Sequence, residues 1–175
     1  MVALAGCGGD DPRPSVPPAL MRDVGPMASL RVRGQVRWVA DGDTFDAQVG
    51  AARMRVRLLG IDTPETVKRD SPVECYGPEA SRRTKELLPK GRAVWIETDV
   101  GGDRVDAYGR LLAYVTPVGS RTTVNATLLR EGLADLYVFH MNAPFHRAQR
   151  FRAIRDRARA ARRGMWGACP DPAQH

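Results

Sequence analysis

From Leu30 to Ile61 apolar and polar positions alternate with a period of two, a pattern that favours strands over helices. "LRVRGQVRWVA" and "TFDAQV" read as two strands joined around Asp41-Gly42, an ordinary hairpin signal. "ARMRVRLLGI" continues the pattern, with Met54, Val56 and Leu58 on one face and Arg53, Arg55 and Arg57 on the other. A half-buried strand is expected there. A short strand followed by Asp62-Thr63-Pro64-Glu65 then leads into a polar loop, 66–76.

The period changes at "YGPEASRRTKELLPKG", where Pro78 is placed to start a helix and Pro89-Lys90-Gly91 to stop it. "RAVWIET" and "GRLLAYVTP" predict the fourth and fifth strands, separated by a charged turn over 99–107. "TTVNATLLREG" predicts a second helix that ends at Gly132. A third, from Pro144 to about Arg163, sets Phe145, Ala148, Phe151, Ile154, Ala158 and Ala161 on one stripe. The order β-β-β-α-β-β-α-α fits an α+β protein: a small five-stranded barrel of the OB type with three helices.

Residues 1–29 are rich in Pro and Gly and lack any period, so they read as a linker. The folded domain is expected over 30–169, with 170–175 as a short tail. Leu4-Ala5-Gly6-Cys7 resembles the lipobox of bacterial lipoproteins, although only three residues precede it. Export, with Cys7 lipidated and a start site assigned too far downstream, is the expectation. An incidental cysteine on a tail is the plainer one. Cys75 and Cys169 are left; oxidised they would close a loop of more than ninety residues, and in the cytosol they would stay free thiols.

With 43% hydrophobic and 27% charged residues the chain is globular rather than disordered. Aromatics, at 6%, are too few for a protein that works mainly by stacking bases. The net charge of +7 is concentrated: residues 144–163 hold eight Arg and one Asp, which leaves the rest of the chain neutral. That segment suits either a polyphosphate or plain solvent.

Little supports nucleophilic or zinc chemistry. His140, His146 and His175 lie late in the chain without metal-ligand spacing, and no Gly-x-Ser-x-Gly elbow or phosphate-binding glycine loop occurs. What remains is a set of carboxylates and arginines at strand ends: Asp41 and Asp43, then Arg57, Asp62 and Glu65, then Asp106, Tyr108 and Arg110. Oxygen donors alone favour a hard cation, calcium before zinc. Two guanidinium groups suit a phosphodiester, and a carboxylate free of metal can take a proton from water. Taken singly each has a bland reading: a turn, a cap, a surface ion pair of Arg110 with Asp106.

Taken together, "DGDTFD", "VRLLGIDTPET", "YGPEAS", "DAYGRLLAY" and "GLADLYVF" occur in the order and spacing of the staphylococcal nuclease (thermonuclease) family. The resemblance covers residues 30 to about 167. It implies an OB barrel with three helices and calcium-dependent hydrolysis of DNA and RNA to 3′-phosphate products by a monomer. It implies that Asp43 and Asp62 bind Ca2+ through carboxylates and Thr63 through its carbonyl, with Asp41 shaping the turn from outside. Glu65 would be the general base, Arg57 and Arg110 would hold the phosphate, Tyr108 would bond a terminal phosphate and Tyr137 would flank the base. The Cys75–Cys169 pair occurs in exported relatives of this kind, which supports a disulfide.

Departures touch substrate binding. Where the family's best-known member has a lysine, this chain has Ala107, and the segment around Tyr137 is one residue shorter, with Phe139 as a second candidate aromatic. The rival reading is an OB module of the same family that holds nucleic acid or protein without cutting it. Its members lack parts of the carboxylate–arginine set, which is complete here.

Overall fold

The structure, a computed structural model, describes residues 28–66, 73–100, 103–138 and 145–170. Cys7, Phe139, His140, Pro144 and His175 lie outside the described residues, as does the N-terminal linker up to residue 27. Three strands come first, β1 (Arg31–Val39), β2 (Thr44–Val49) and β3 (Ala52–Leu58), followed by the short β4 (Ile61–Asp62). Helix α1 (Gly77–Leu87) leads to β5 (Ala93–Glu97) and β6 (Leu111–Pro117). Then come α2 (Val124–Glu131), β7 (Asp135–Leu136), α3 (Ala148–Ala160) and the one-turn α4 (Met165–Ala168).

Five of the strands close into a barrel in the order β1-β2-β3-β6-β5, with β5 pairing back onto β1. Only β3 and β6 run parallel; the other barrel pairs are antiparallel. Closure removes the unpaired edges that an open sheet of this size would expose. The alternating residues Met54, Val56 and Leu58 turn inward with Phe45, Ala47, Val94 and Ile96, all buried. A second layer forms where Tyr114 meets Phe151 of α3 edge-to-face, ring centroids 5.8 Å apart.

The helix boundaries follow local chemistry. Pro78 stands in the first turn of α1, where a missing N–H costs nothing. The Thr123 hydroxyl caps α2 through Ala126 N, and Gly132 ends it in the left-handed region at φ 71°. Asn125, fully buried, donates to the Leu59 and Ala113 carbonyls and accepts from Val115 N. It thereby ties α2 to the barrel wall, a role the sequence pattern did not single out. Cys75 and Cys169 are joined in a disulfide.

Three expectations need correction. The third helix is shorter than 144–163: Arg162 takes a left-handed φ of 50°, so the helix stops at Ala160 and Ala161 is exposed. The short strand expected at Asp62 is β4, but its partner, the two-residue β7 with Asp135 opposite Asp62, was not expected, because two residues carry too little periodicity to be read in advance. Arg57 shares a face of β3 with Arg53 and Arg55 but is buried there, where Asp43 and Asp62 pair with it.

Candidate active site

The site grows from the β1–β2 connection. Ala40 N and Asp41 N both donate to the Thr44 carbonyl, which draws the chain into a tight turn. Gly42 is needed here for space rather than for a left-handed φ. A Cβ at that position would stand 2.5 Å from the Thr63 hydroxyl, so only glycine lets the Asp62-Thr63 segment press against the turn. The Thr84 hydroxyl of α1 donates to the Gly42 carbonyl at 2.6 Å and locks the turn to the helix.

Asp43 is held from every side. Its carbonyl accepts from Leu58 N, and its Oδ1 accepts from the Thr44 hydroxyl at 2.9 Å. Its Oδ2 accepts from both Thr63 N and the Thr63 hydroxyl, each at 3.2 Å. Asp41, two residues earlier, turns elsewhere: its Oδ1 accepts from Gly42 N at 2.8 Å and from the Thr66 hydroxyl at 2.7 Å. The two aspartates of one turn therefore do different work. Asp43 faces the centre of the site, and Asp41 braces its rim.

Arg57 occupies that centre. The β2–β3 register sets it opposite Thr44, and its guanidinium pairs with Asp43 through Nη1 and with Asp62 through Nη2, the latter at 2.5 Å. Burial pulls its pKa below the ordinary arginine value, and the like charge of Arg110 lowers it further against the opposing pull of Asp62 and Glu65. Carboxylates from two separate strand ends thus converge on a single cation.

Glu65 completes the acidic side. Burial raises its pKa first, and the negative charges of Asp41, Asp62 and Glu74 raise it further, opposed by Arg57. Arg110 stands at the end of the next turn, where Asp106 accepts from Arg110 Nε at 2.6 Å and from the backbone N–H groups of Tyr108 and Arg110. The bland expectation of an Asp106–Arg110 ion pair is thus met. It serves to fix a guanidinium whose charge reaches Arg57. Tyr108 is 84% exposed, with Arg110 5.1 Å from its ring centroid. Tyr137 follows β7, is 39% exposed, and donates its N–H to the Gly60 carbonyl at 3.1 Å.

A sequence model of the family described as "Staphylococcal nuclease homologue" matches residues 55–168. This chain belongs to the staphylococcal nuclease family. It is similar to Endonuclease YncB of Bacillus subtilis (strain 168), with 42% identity over 127 residues, covering 72% of this chain and 57% of that protein. It is similar also to the Thermonuclease of Staphylococcus intermedius, 43% over 110 residues, covering 61% of this chain and 62% of the relative. With the Thermonuclease of Staphylococcus hyicus it shares 33% over 128 residues, 73% of this chain and 72% of the relative. The chain thus spans about three-fifths of the length of the first and second of these relatives.

Within this staphylococcal nuclease homologue, Arg57, Asp62, Thr63, Glu65, Tyr108 and Arg110 fall inside the matched span, whereas Asp41 and Asp43 precede it. The barrel register joins the two parts. Among the described residues no three carboxylate, histidine or cysteine side chains cluster as a ready metal cage. Two carboxylates that already share one guanidinium do suit a hard cation, and the backbone carbonyl of Thr63 would add a third oxygen, water supplying the rest. Thr66 and Glu74 were not named from the sequence; they are polar residues of the adjoining loop whose only signal was proximity to the Asp62-Glu65 motif.

Proposed function

We propose that this chain is a calcium-dependent phosphodiesterase that hydrolyses DNA, and RNA as well, at the P–O5′ bond to leave a 3′-phosphate. The observation that carries the reading is the convergence of Asp43 and Asp62 on Arg57, with Glu65 and Arg110 close enough to shift its ionisation, in a member of a nuclease family. Asp43, Asp62 and the Thr63 carbonyl would hold the calcium. Bound there, it would relieve Arg57 of its two carboxylates and draw charge from the attacked phosphate.

The protein groups divide the rest of the work. Arg57 and Arg110 clamp the non-bridging oxygens, where negative charge builds as the nucleophile arrives. Glu65 accepts a proton from the attacking water, and the raised pKa makes its carboxylate a better base than an exposed one. Arg110, steadied by Asp106, faces the departing 5′-oxygen. Tyr108 offers its exposed hydroxyl to a terminal phosphate, and Tyr137 lies against the base.

The test is release of acid-soluble nucleotides from DNA with calcium supplied. We expect it to be abolished by chelator and by Glu65→Gln. DNA bound but left uncut under these conditions would favour the binding-only OB module instead. The disulfide suits an oxidising compartment, which supports export of the chain, with Cys7 as the candidate lipid attachment point. Loss of fatty-acid labelling on Cys7→Ser would establish that anchor.

A further inference from the structure

Glu65 owes its place to a contact from across the loop. Its N–H donates to Glu74 Oε2 at 2.8 Å, and Glu74 N donates back to the Glu65 carbonyl at 3.0 Å. This reciprocal pair fixes the backbone of the candidate base from one side. Gly77 fixes it from the other: a Cβ there would stand 2.9 Å from the Glu65 carbonyl oxygen and 3.1 Å from that of Pro64. Between Glu74 and Gly77 lie Cys75, bonded to Cys169, and Tyr76, held at a left-handed φ of 70°.

A left-handed conformation in a residue other than glycine is unfavourable and lasts only where the surroundings impose it. Here two restraints impose it. Tyr76 packs against both apolar clusters, and its neighbour Cys75 is covalently tied to the chain end. The far end of the tie is itself anchored. Cys169 N donates to the Met165 carbonyl, Met165 and Trp166 are buried, and Met165 N donates to the Gly132 carbonyl at the end of α2.

We infer that Glu74 is a positioning residue for Glu65, and that the Cys75–Cys169 disulfide makes this hold, and so the rate of hydrolysis, dependent on the oxidised state. The inference rests on Glu65 being the base. Reduction by a dithiol passes two electrons and two protons to the protein. The S–S bond opens to two thiols, and the dithiol closes to its own disulfide. Freed from Cys169, the Cys75-Tyr76 unit can relax to a negative φ, and the Glu74–Glu65 pair loses its fixed frame. Displacing a reacting group by about 1 Å can cost up to about 10²-fold in rate.

The experiment measures kcat and KM of the full chain with DNA and calcium, oxidised and after dithiothreitol, for wild type, Glu74→Ala and Glu74→Gln. Thermal unfolding of each form sets an assay temperature at which all stay folded. Glu74→Ala should lower kcat roughly 10–100-fold with KM nearly unchanged. Glu74→Gln should recover most of it, because its amide oxygen still accepts from Glu65 N. Reduced wild type should resemble Glu74→Ala, and reduction of Glu74→Ala should add little further loss, as two steps of one linkage require.

Reduction that lowers only the melting temperature while kcat holds would overturn the inference. So would full activity of Glu74→Ala, or losses that simply multiply. If oxidised wild type cuts nothing with calcium present, the nuclease reading fails and this inference fails with it; the other contrary results leave the nuclease reading standing.

Discussion

Two sets of arginine in this molecule show how little net charge says about where chemistry happens. The segment 144–163, which holds α3, the residues before it and the turn after it, accounts for the whole formal excess, and Arg150, Arg152, Arg157 and Arg162 are exposed with no ion-pair partner among the described residues. Arg57, by contrast, is buried and locally neutralised by two aspartates. A guanidinium in water gains little from an anion that salt can screen. One held in a dry site with its geometry preset is far more effective on a phosphate.

The contrast breaks most visibly at Arg57. Arg57→Ala should lower kcat roughly 10²–10⁴-fold on short oligonucleotides and long DNA alike, since the loss is in the transition state. Arg57→Lys should recover little, because one ammonium cannot bridge two oxygens in a plane as a guanidinium does. Steady-state kinetics on both substrates test this. Equal loss from reversing arginines on α3 would break the comparison.

Next in size is the paired subset of α3 and the residue before it. Arg155 bonds Asp135, the partner of Asp62 across β4 and β7, and Arg147 bonds Glu97 while lying over the Tyr114 ring at 4.0 Å. Arg155→Ala should therefore cost about 1 kcal/mol in stability, read from a denaturation midpoint, where Arg157→Ala costs nothing measurable. For the exposed subset, Arg150→Glu with Arg157→Glu should leave cleavage of a dinucleotide unchanged. Affinity for long DNA should weaken at low salt, its salt dependence falling by about one unit for each phosphate no longer neutralised.

The smallest effect concerns Glu65. Its folded pKa is raised, so it favours the folded state below the ordinary carboxylate value, and that contribution is lost as pH rises through the folded value. At neutral pH the charged side chain is thus a burden on stability. Glu65→Gln should raise the melting temperature slightly while removing activity, a trade expected of a site built for function. In wild type the rate should fall on acidification through a pH above the normal glutamate range, as the base takes up its proton. An acid limb at or below the normal range would contradict the burial of Glu65.

Much of the architecture was legible because its signals are local. Short apolar runs, alternating most clearly along β3, marked the five barrel strands, and Pro78 and Gly132 marked helix ends by their own backbone chemistry. What was illegible depends on residues distant in sequence. Nothing near Arg57 announces that Asp43 and Asp62 will bury it, and the alternation placed it with the exposed Arg53. Gly42 read as a hairpin glycine, yet its reason is Thr63 of another segment. The candidate residues were nameable only as a resemblance of motifs; their convergence is a property of the closed barrel.

If hydrolysis belongs to the buried arginine site, the exposed helix contributes at most to holding DNA. The direct measurement is kcat on a short oligonucleotide with calcium, for wild type, Arg57→Ala and the Arg150→Glu/Arg157→Glu variant. Wild type and the helix variant should cleave at closely similar kcat, and Arg57→Ala should lose roughly 10²-fold or more. Unimpaired cleavage by Arg57→Ala, or a comparable loss in the helix variant, would contradict that division of labour.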